Sequence, residues 1–470
     1  MSKTEARAST AGAQATAAPA RRTRQAAVPQ GRISRFLHLG RAMGELALSS
    51  ASAGVSRWAR RDKPDLSQLL LTPANARRLA ERLSAMRGAV MKMGQLMSMD
   101  TASHGVLPAE FAELLGGLRN AAHSMSAAQL TAVLTREYGA RWQRRFCSLD
   151  LVPIAAASIG QVHRAVSHDG QSLALKIQYP GVSDSIDNDM ANLALLARLP
   201  GLVPPQLDVA PLLARVREQL KHEADYRAEA RAATLYRTRL GADPALWVPA
   251  VVPEHCTAHI IASEFAPGVP VDQWAADRAP QAQRDRVAAA LVRLAVREFF
   301  ELGLVQTDPN FGNYLFDVST GKVALLDFGA AEKVVPARAR QLTALGRAMR
   351  DGDASRVNSA ASSAGFISPE DPASQSQAVV QMLLAAGEPL RHVGPYDFGK
   401  SDLFGRLFSQ GRTRFFGDGF ARTPPPDLLF LQRKFVGTFL LCVRLRPRSI
   451  WHWRSRRTSR RLSGLGSGPR

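Results

Sequence analysis

Asp308 and Asn313 stand five positions apart in the segment VQTDPNFGNYL (residues 305–315), and Asp327 opens Asp327-Phe328-Gly329 at the end of a short apolar run, residues 323–326. An aspartate that can orient a hydroxyl, an asparagine five residues on that can hold a metal, and a second aspartate at a strand end some twenty residues later form an arrangement used for phosphoryl transfer. The tripeptide by itself carries little weight, because Asp397-Phe398-Gly399 repeats it with no apolar strand before it. That second copy reads as structural.

Chemistry of this kind also needs a cation on the phosphates. Lysine and arginine total 61, of which only nine are lysine. In so arginine-rich a chain a retained lysine is informative, since a compact three-donor charge fits a tight pocket that a planar guanidinium does not. Lys176 lies in SLALKIQ, an alternating strand that puts Leu173, Leu175 and Ile177 on one face and the lysine on the other. Lys92 and Gln95 share a helix face, off the packing seam of Leu79, Leu83, Met86, Val90, Met93 and Met97. Lys92 therefore either snorkels to water or enters a buried polar site, and spacing does not decide between them.

The elements that must position these residues follow from pattern. A helix starts at Thr72-Pro73, and a second helical region covers residues 108–144. Residues 162–165 and 172–178 pair through the turn His168-Asp169-Gly170. Ahead of that hairpin lies a small-residue loop, Ala155, Ala156, Ala157 and Ser158, placed like a phosphate loop but built from alanine. Alanine disfavours both the positive φ and the close backbone approach that glycine permits, so the loop is expected to be stiff and poorly suited to fast transfer onto another protein. Helices are expected over 184–199 and 211–240, with a strand at 259–263 running into Glu264 and Ala266. A long helix over 281–302 carries Ala288, Val292, Ala295, Phe299 and Leu302 on one face, and the remainder is mostly helical without internal repeats.

Charge is concentrated at the ends. The formal net charge is +21, and residues 1–61 and 444–470 carry +9 each. The chain is thus a nearly neutral domain with two cationic arms, read either as solvated disordered tails or as adhesion to an anionic membrane surface, which they suit better than nucleic acid; no zinc finger or aromatic RNA platform accompanies the charge. No stretch reaches the roughly 18 uninterrupted apolar residues of a membrane span. Cys147, Cys256 and Cys442 are too dispersed for a disulfide framework or a metal knuckle, which fits a reducing compartment. The acid-poor, Ala/Ser/Arg-rich start would suit a mitochondrial presequence, but the arginine bias runs through the whole chain and favours a bacterial cytoplasmic protein peripheral to the inner membrane.

KMGQ (92–95), AAASIGQVHRA (155–165), LALKIQYPGV (173–182), EADYRAEA (223–230), TDPNFGN (307–313) and LLDFGA (325–330) occur in this order. In these motifs the sequence resembles the UbiB/AarF/ADCK family of atypical kinases, over roughly residues 66–445. The resemblance implies an α+β, two-lobed protein-kinase-like fold with an N-terminal helical extension over the active site, using ATP (or ADP) and Mg²⁺. Its expected organisation is a basic segment (1–61), the extension (62–144), an N-lobe (145–266), a C-lobe (267–443) and a basic tail (444–470). By the same resemblance Lys176 contacts the α/β-phosphates and pairs with Glu229, Asn313 and Asp327 hold Mg²⁺, and Asp308 is the catalytic base. Main-chain groups near Glu264 and Ala266 meet the adenine edge, while Lys92 and Gln95 reach toward Glu223 and Asp225.

Two departures from ordinary protein kinases accompany this: Gln306-Thr307 replaces His-Arg before the aspartate, and no Ala-Pro-Glu follows the Asp-Phe-Gly. The implied function is support of ubiquinone or other isoprenoid-lipid metabolism, with lipid or quinone precursors and lipid-biosynthesis proteins as partners. A small-molecule kinase of the aminoglycoside or choline type, and a nucleotide-gated scaffold without turnover, remain open; a mitochondrial matrix location is the alternative to the bacterial one.

Overall fold

Alternation in SLALKIQ becomes the centre of a sheet. The structure is a computed structural model that describes residues 124–197, 210–276, 279–308, 310–394, 396–398, 400–412 and 426–447. Lys92 and Gln95, the basic segment and most of the expected extension lie outside the described residues. Helix α1 (Ala127–Tyr138) leads into strands β1 (Ser148–Leu149), β2 (Ala155–Ala156), β3 (Gly160–Val166) and β4 (Ser172–Gln178). With β6 (Ile260–Glu264) they form an antiparallel sheet in the order β1-β3-β4-β6, β2 also pairing with β3. Leu173, Leu175 and Ile177 are each 0% exposed, so the face opposite Lys176 is sealed. Burying side chains of this size is worth about 1.5–3 kcal/mol each.

Met125, Leu130, Val133 and Leu134 pack into this same core, so α1, assigned to the extension by sequence, is built into the N-lobe. Its start is set by a reciprocal capping box between Ser126 and Gln129.

The helices after β4 are α2 (Val182–Ala197), α3 (Ala210–Ala224) and α4 (Tyr226–Leu240). The single helix expected over 211–240 is therefore two. Asp225 breaks it by accepting the Ala228 N–H (2.9 Å) as an N-cap, which starts a second helix with Glu229 in its first turn.

In the C-lobe, β5 (Leu246–Trp247), β7 (Val269–Pro270), β9 (Tyr314–Asp317) and β10 (Lys322–Leu325) make a second sheet, ordered β5-β10-β9-β7, in which β10 runs parallel to β5. Helix α5 (Val271–Ala276) precedes α6 (Gln281–Arg297), and β8 (Leu304–Gln306) pairs with β11 (Ala331–Lys333). The helix expected to reach residue 302 ends at Arg297 and continues as one wide π turn, Glu298–Leu302. Phe299 and Leu302 stay buried through that turn while Glu298 is also brought inside. Helices α7 (Pro336–Asp351), α8 (Ala354–Ala364), α9 (Ala373–Ala386), α10 (Glu388–Arg391), α11 (Leu403–Arg412) and α12 (Pro426–Leu445) complete the lobe. Phe398, in the second Asp-Phe-Gly, packs its ring against Tyr396 and Phe439. Among the described residues, no helix is long and apolar enough to cross a membrane.

Candidate functional site

Lys176 leaves β4 on the face away from the aliphatic core, and α4 is packed where it arrives. Its ammonium lies 2.8 and 2.9 Å from the two oxygens of Glu229 and 3.2 Å from Asp327 Oδ2. The Tyr226 ring sits beneath it, 5.3 Å from centroid to Nζ. Three segments far apart in sequence thus converge on one cation. The Glu229 side chain is 3% exposed and that of Asp327 29%, so only the aspartate faces an open cleft.

Burial opposes the charge on Lys176, yet the carboxylates of Asp327 and Glu229 outweigh it and hold the ammonium well above the ordinary lysine range. Burial also pushes the Glu229 carboxyl up to about 7, against the pull of Lys176 and with a further push from Asp327. Two carboxylates around one ammonium leave the cluster with excess negative charge, and a proton on Glu229 relieves it.

A raised carboxyl stabilises the folded state below its unfolded value, and that contribution is lost as pH rises through the folded one, here between about 4.5 and 7. Nucleotide-free protein is therefore expected to lose about 3 kcal/mol relative to Glu229→Gln when pH is raised across this window. Denaturant unfolding at both ends would measure it; parallel stability curves for the two proteins would remove the shift.

Asp327 follows β10, held in place by its own neighbours. Its Oδ1 accepts the Gly329 N–H (2.9 Å), and the preceding Leu326 N–H binds the Asn313 carbonyl (3.0 Å), which ties the metal-ligand candidates together. A side-chain nitrogen of Asn313 is buried with no hydrogen-bond partner. That NH₂ group is a donor left free for a phosphate oxygen, and the oxygen of the same amide is the hard ligand type that Mg²⁺ takes. No group of three or more His, Cys, Asp or Glu side chains is placed to hold a metal among the described residues, so phosphate oxygens would have to complete such a site.

Gln306 is the hub that sequence reading missed. Its side-chain amide donates to the Asp327 carbonyl and accepts the Asp308 N–H (3.1 Å). It thereby bridges the two aspartates. Asp308 is 8% exposed, and its Oδ1 accepts the Asn310 N–H at 3.3 Å. Thr307, at the position where a phosphate-receiving arginine is absent, bonds through both N–H (3.1 Å) and hydroxyl (2.8 Å) to the Ala330 carbonyl. His222, also unpredicted, holds the Gly329 carbonyl at 2.9 Å.

The alanine loop is a hairpin. Ala155 and Ala156 pair with Val162 and Gln161, and the tip is stapled by the Ser158 hydroxyl to Glu223 Oε2 at 2.8 Å. Ala155 and Ala156 are exposed and Ala157 and Ser158 half-buried. Glu223 and Asp225, the expected partners of Lys92 and Gln95, are used here to hold Ser158 and to cap α4. At the end of β6 the Glu264 carboxylate is pinned by Ala250 N–H (2.8 Å) and Arg237 (3.1 Å), and the N–H groups of Glu264 and Phe265 go to Ala250 and Ser172. What this segment can still offer a ligand is the Glu264 carbonyl and the N–H of Ala266, itself 7% exposed.

The family model described as "ABC1 atypical kinase-like domain" matches residues 117–361. Atypical kinase COQ8B, mitochondrial, of Rattus norvegicus is 36% identical over 430 residues, covering 90% of this chain and 80% of the relative. Atypical kinase COQ8, mitochondrial, of Saccharomyces cerevisiae is 35% identical over 428 residues, covering 90% and 83%. Among solved structures, the Rv3197–erythromycin complex from Mycobacterium tuberculosis superposes with a TM-score of 0.53 at 25% identity, covering 79% of this chain and 92% of that one.

Proposed function

The chain belongs to the ABC1 atypical kinase-like family, which is that of UbiB, AarF and the ADCK proteins, and from this premise we propose that it is a Mg²⁺-dependent ATPase or unconventional kinase working at a membrane surface. The observation that carries the proposal is the convergence of Lys176, Glu229 and Asp327. An ammonium fixed by a buried carboxylate is a phosphate anchor, and a half-open aspartate beside it is a metal ligand. Asn313 and Asp327 would hold Mg²⁺, Lys176 the α/β-phosphates, and the Glu264 carbonyl and Ala266 N–H the adenine edge. Bound there, Mg-ATP supplies the transferable phosphoryl group. Asp308, held through Gln306, would be the base that orients the attacking hydroxyl.

Two features favour a dedicated ATPase over a protein kinase. The Ser158 to Glu223 staple stiffens the loop over the phosphates, and Thr307 anchors the segment after Asp327 with no residue to receive a regulatory phosphate. The COQ8 names of the relatives support a role in ubiquinone or related isoprenoid-lipid metabolism, and their mitochondrial names support the matrix alternative over the bacterial cytoplasm. A membrane surface is common to both, and the +9 arms supply the attraction to anionic lipid.

The deciding experiment is ATP hydrolysis by the purified full chain, with and without Mg²⁺ and with neutral or anionic liposomes. Turnover that requires Mg²⁺ and rises several-fold with anionic vesicles at low salt is expected, the rise fading as salt screens the arms. Tight nucleotide binding with no turnover on any vesicle would instead favour the scaffold, and a stoichiometric phosphorylated metabolite the small-molecule kinase.

A further inference from the structure

Beneath the cleft lies a second ionic cluster that the proposed chemistry does not use. Glu298, in the π turn, is 0% exposed, and Lys434, on α12, is 2% exposed; they pair at 2.6 Å. Taking two charges out of water is costly, and a well-packed apolar pair in their place is often no less stable. A pair kept under those terms calls for a use beyond stability.

Its connections supply one. Glu298 Oε1 accepts the Tyr236 hydroxyl at 2.6 Å and the Gln306 N–H at 3.3 Å. Lys434 donates to the Tyr314 hydroxyl at 3.3 Å. Tyr236 lies two turns along α4 from Glu229, and its ring packs against Phe328 (4.9 Å between centroids). Gln306 holds Asp308 and Asp327, and Tyr314 follows Asn313 directly. Asp308 and Asp327, through Gln306, and Asn313, through Tyr314, are therefore each two covalent or hydrogen-bonded steps from the buried pair.

We propose that Glu298 is a positioning residue whose buried side-chain oxygen, set in place by Lys434 of helix α12, holds Tyr236 of α4 and the Gln306 N–H in the geometry for phosphoryl transfer. The inference rests on the reading of the cleft as a Mg-ATP site. It also gives α12 a function: the helix carries the lysine that fixes the Glu298 carboxylate. Being fully buried, the pair is not screened by salt, so alignment holds whatever the ionic strength at the membrane.

Two double variants test it. Glu298→Gln with Lys434→Met removes both charges but keeps an oxygen where Tyr236 and Gln306 donate; Glu298→Met with Lys434→Met fills the volume with no acceptor. Neither leaves a lone buried charge, so both are expected to fold. The first is expected to keep kcat within about threefold of wild type, and the second to lose about 30-fold or more in kcat with KM for Mg-ATP within about twofold. Amide exchange in nucleotide-free protein should be at least about tenfold faster over 226–240 and 304–308 in the second than in the first.

Two folded variants alike in kcat and exchange would overturn the proposal, because the pair would then only fill the core. Tyr236→Phe, which removes a single hydroxyl, covers the case where the second variant does not fold. It should lower kcat about fivefold with faster exchange in α4, and wild-type values in both would equally overturn the proposal. A wild-type protein without Mg²⁺-dependent turnover would sink the functional reading instead, leaving the exchange comparison to decide this one.

Discussion

Asp327→Asn is expected to remove Mg²⁺-dependent ATP turnover, by at least about 10³-fold, without unfolding the protein. The asparagine keeps one oxygen for the Gly329 N–H that Asp327 Oδ1 accepts at 2.9 Å, so the turn after β10 is retained. Its NH₂ group then faces the Lys176 ammonium in place of the oxygen 3.2 Å away, and the negative charge that a divalent cation requires is gone. Stability separates this from simple misfolding. Asp327 is one of the groups pushing the Glu229 carboxyl up, so removing its charge eases the crowding of carboxylates, and the melting temperature at neutral pH should hold or rise slightly. Hydrolysis assays beside thermal melts make the check; a folded Asp327→Asn protein with normal turnover would take the metal role away from this residue.

The same residues indicate what the sequence could and could not disclose. Lys176 was legible because a period-2 strand needs no distant information: Leu173, Leu175 and Ile177 fix one face, and the lysine is left on the other. Asp308, Asn313 and Asp327 were legible from spacing, since one short loop and one strand end carry them. The break at Asp225 was not, because an aspartate between alanine and tyrosine is tolerated inside a helix and no glycine or proline marks it. The π turn was hidden for a related reason: its wider pitch leaves Phe299 and Leu302 on the apolar face that an unbroken helix predicts. Only the inward swing of Glu298 betrays it. That swing matters because the partner, Lys434, comes from a helix near the other end of the chain. One hint was available, as Lys434 is among the nine lysines that the arginine bias makes conspicuous. What it pairs with is a tertiary fact that local pattern does not contain.

The last prediction concerns the one glycine of the alanine-rich loop segment. Gly160 opens β3 beside the buried Tyr226, and a Cβ there would stand 2.5 Å from the Ile177 carbonyl oxygen and 2.7 Å from the Tyr226 hydroxyl. Neither neighbour can yield easily. Ile177 is a 0% exposed residue of a strand paired on both sides, and Tyr226 is 1% exposed under Lys176. The loop thus dispenses with glycine where the backbone would approach a phosphate and keeps it where strand and helix approach each other.

Gly160→Ala is expected to destabilise the protein by about 1–3 kcal/mol, the range for overpacking a site that cannot relax. It should also weaken Mg-ATP binding, because the displacement falls on the ring that supports Lys176. The two clashes can be separated. The Tyr226 hydroxyl is buried without a hydrogen-bond partner, so Tyr226→Phe alone should be neutral or mildly stabilising. Combined with Gly160→Ala it should recover about 0.5–1.5 kcal/mol, a favourable coupling set by the contact it removes, while the Ile177 contact keeps the rest of the loss. Urea unfolding of the four proteins in the cycle measures this directly. Strict additivity would mean that β3 shifts away from Tyr226 rather than pressing on it, and nucleotide affinity should then be unchanged in Gly160→Ala.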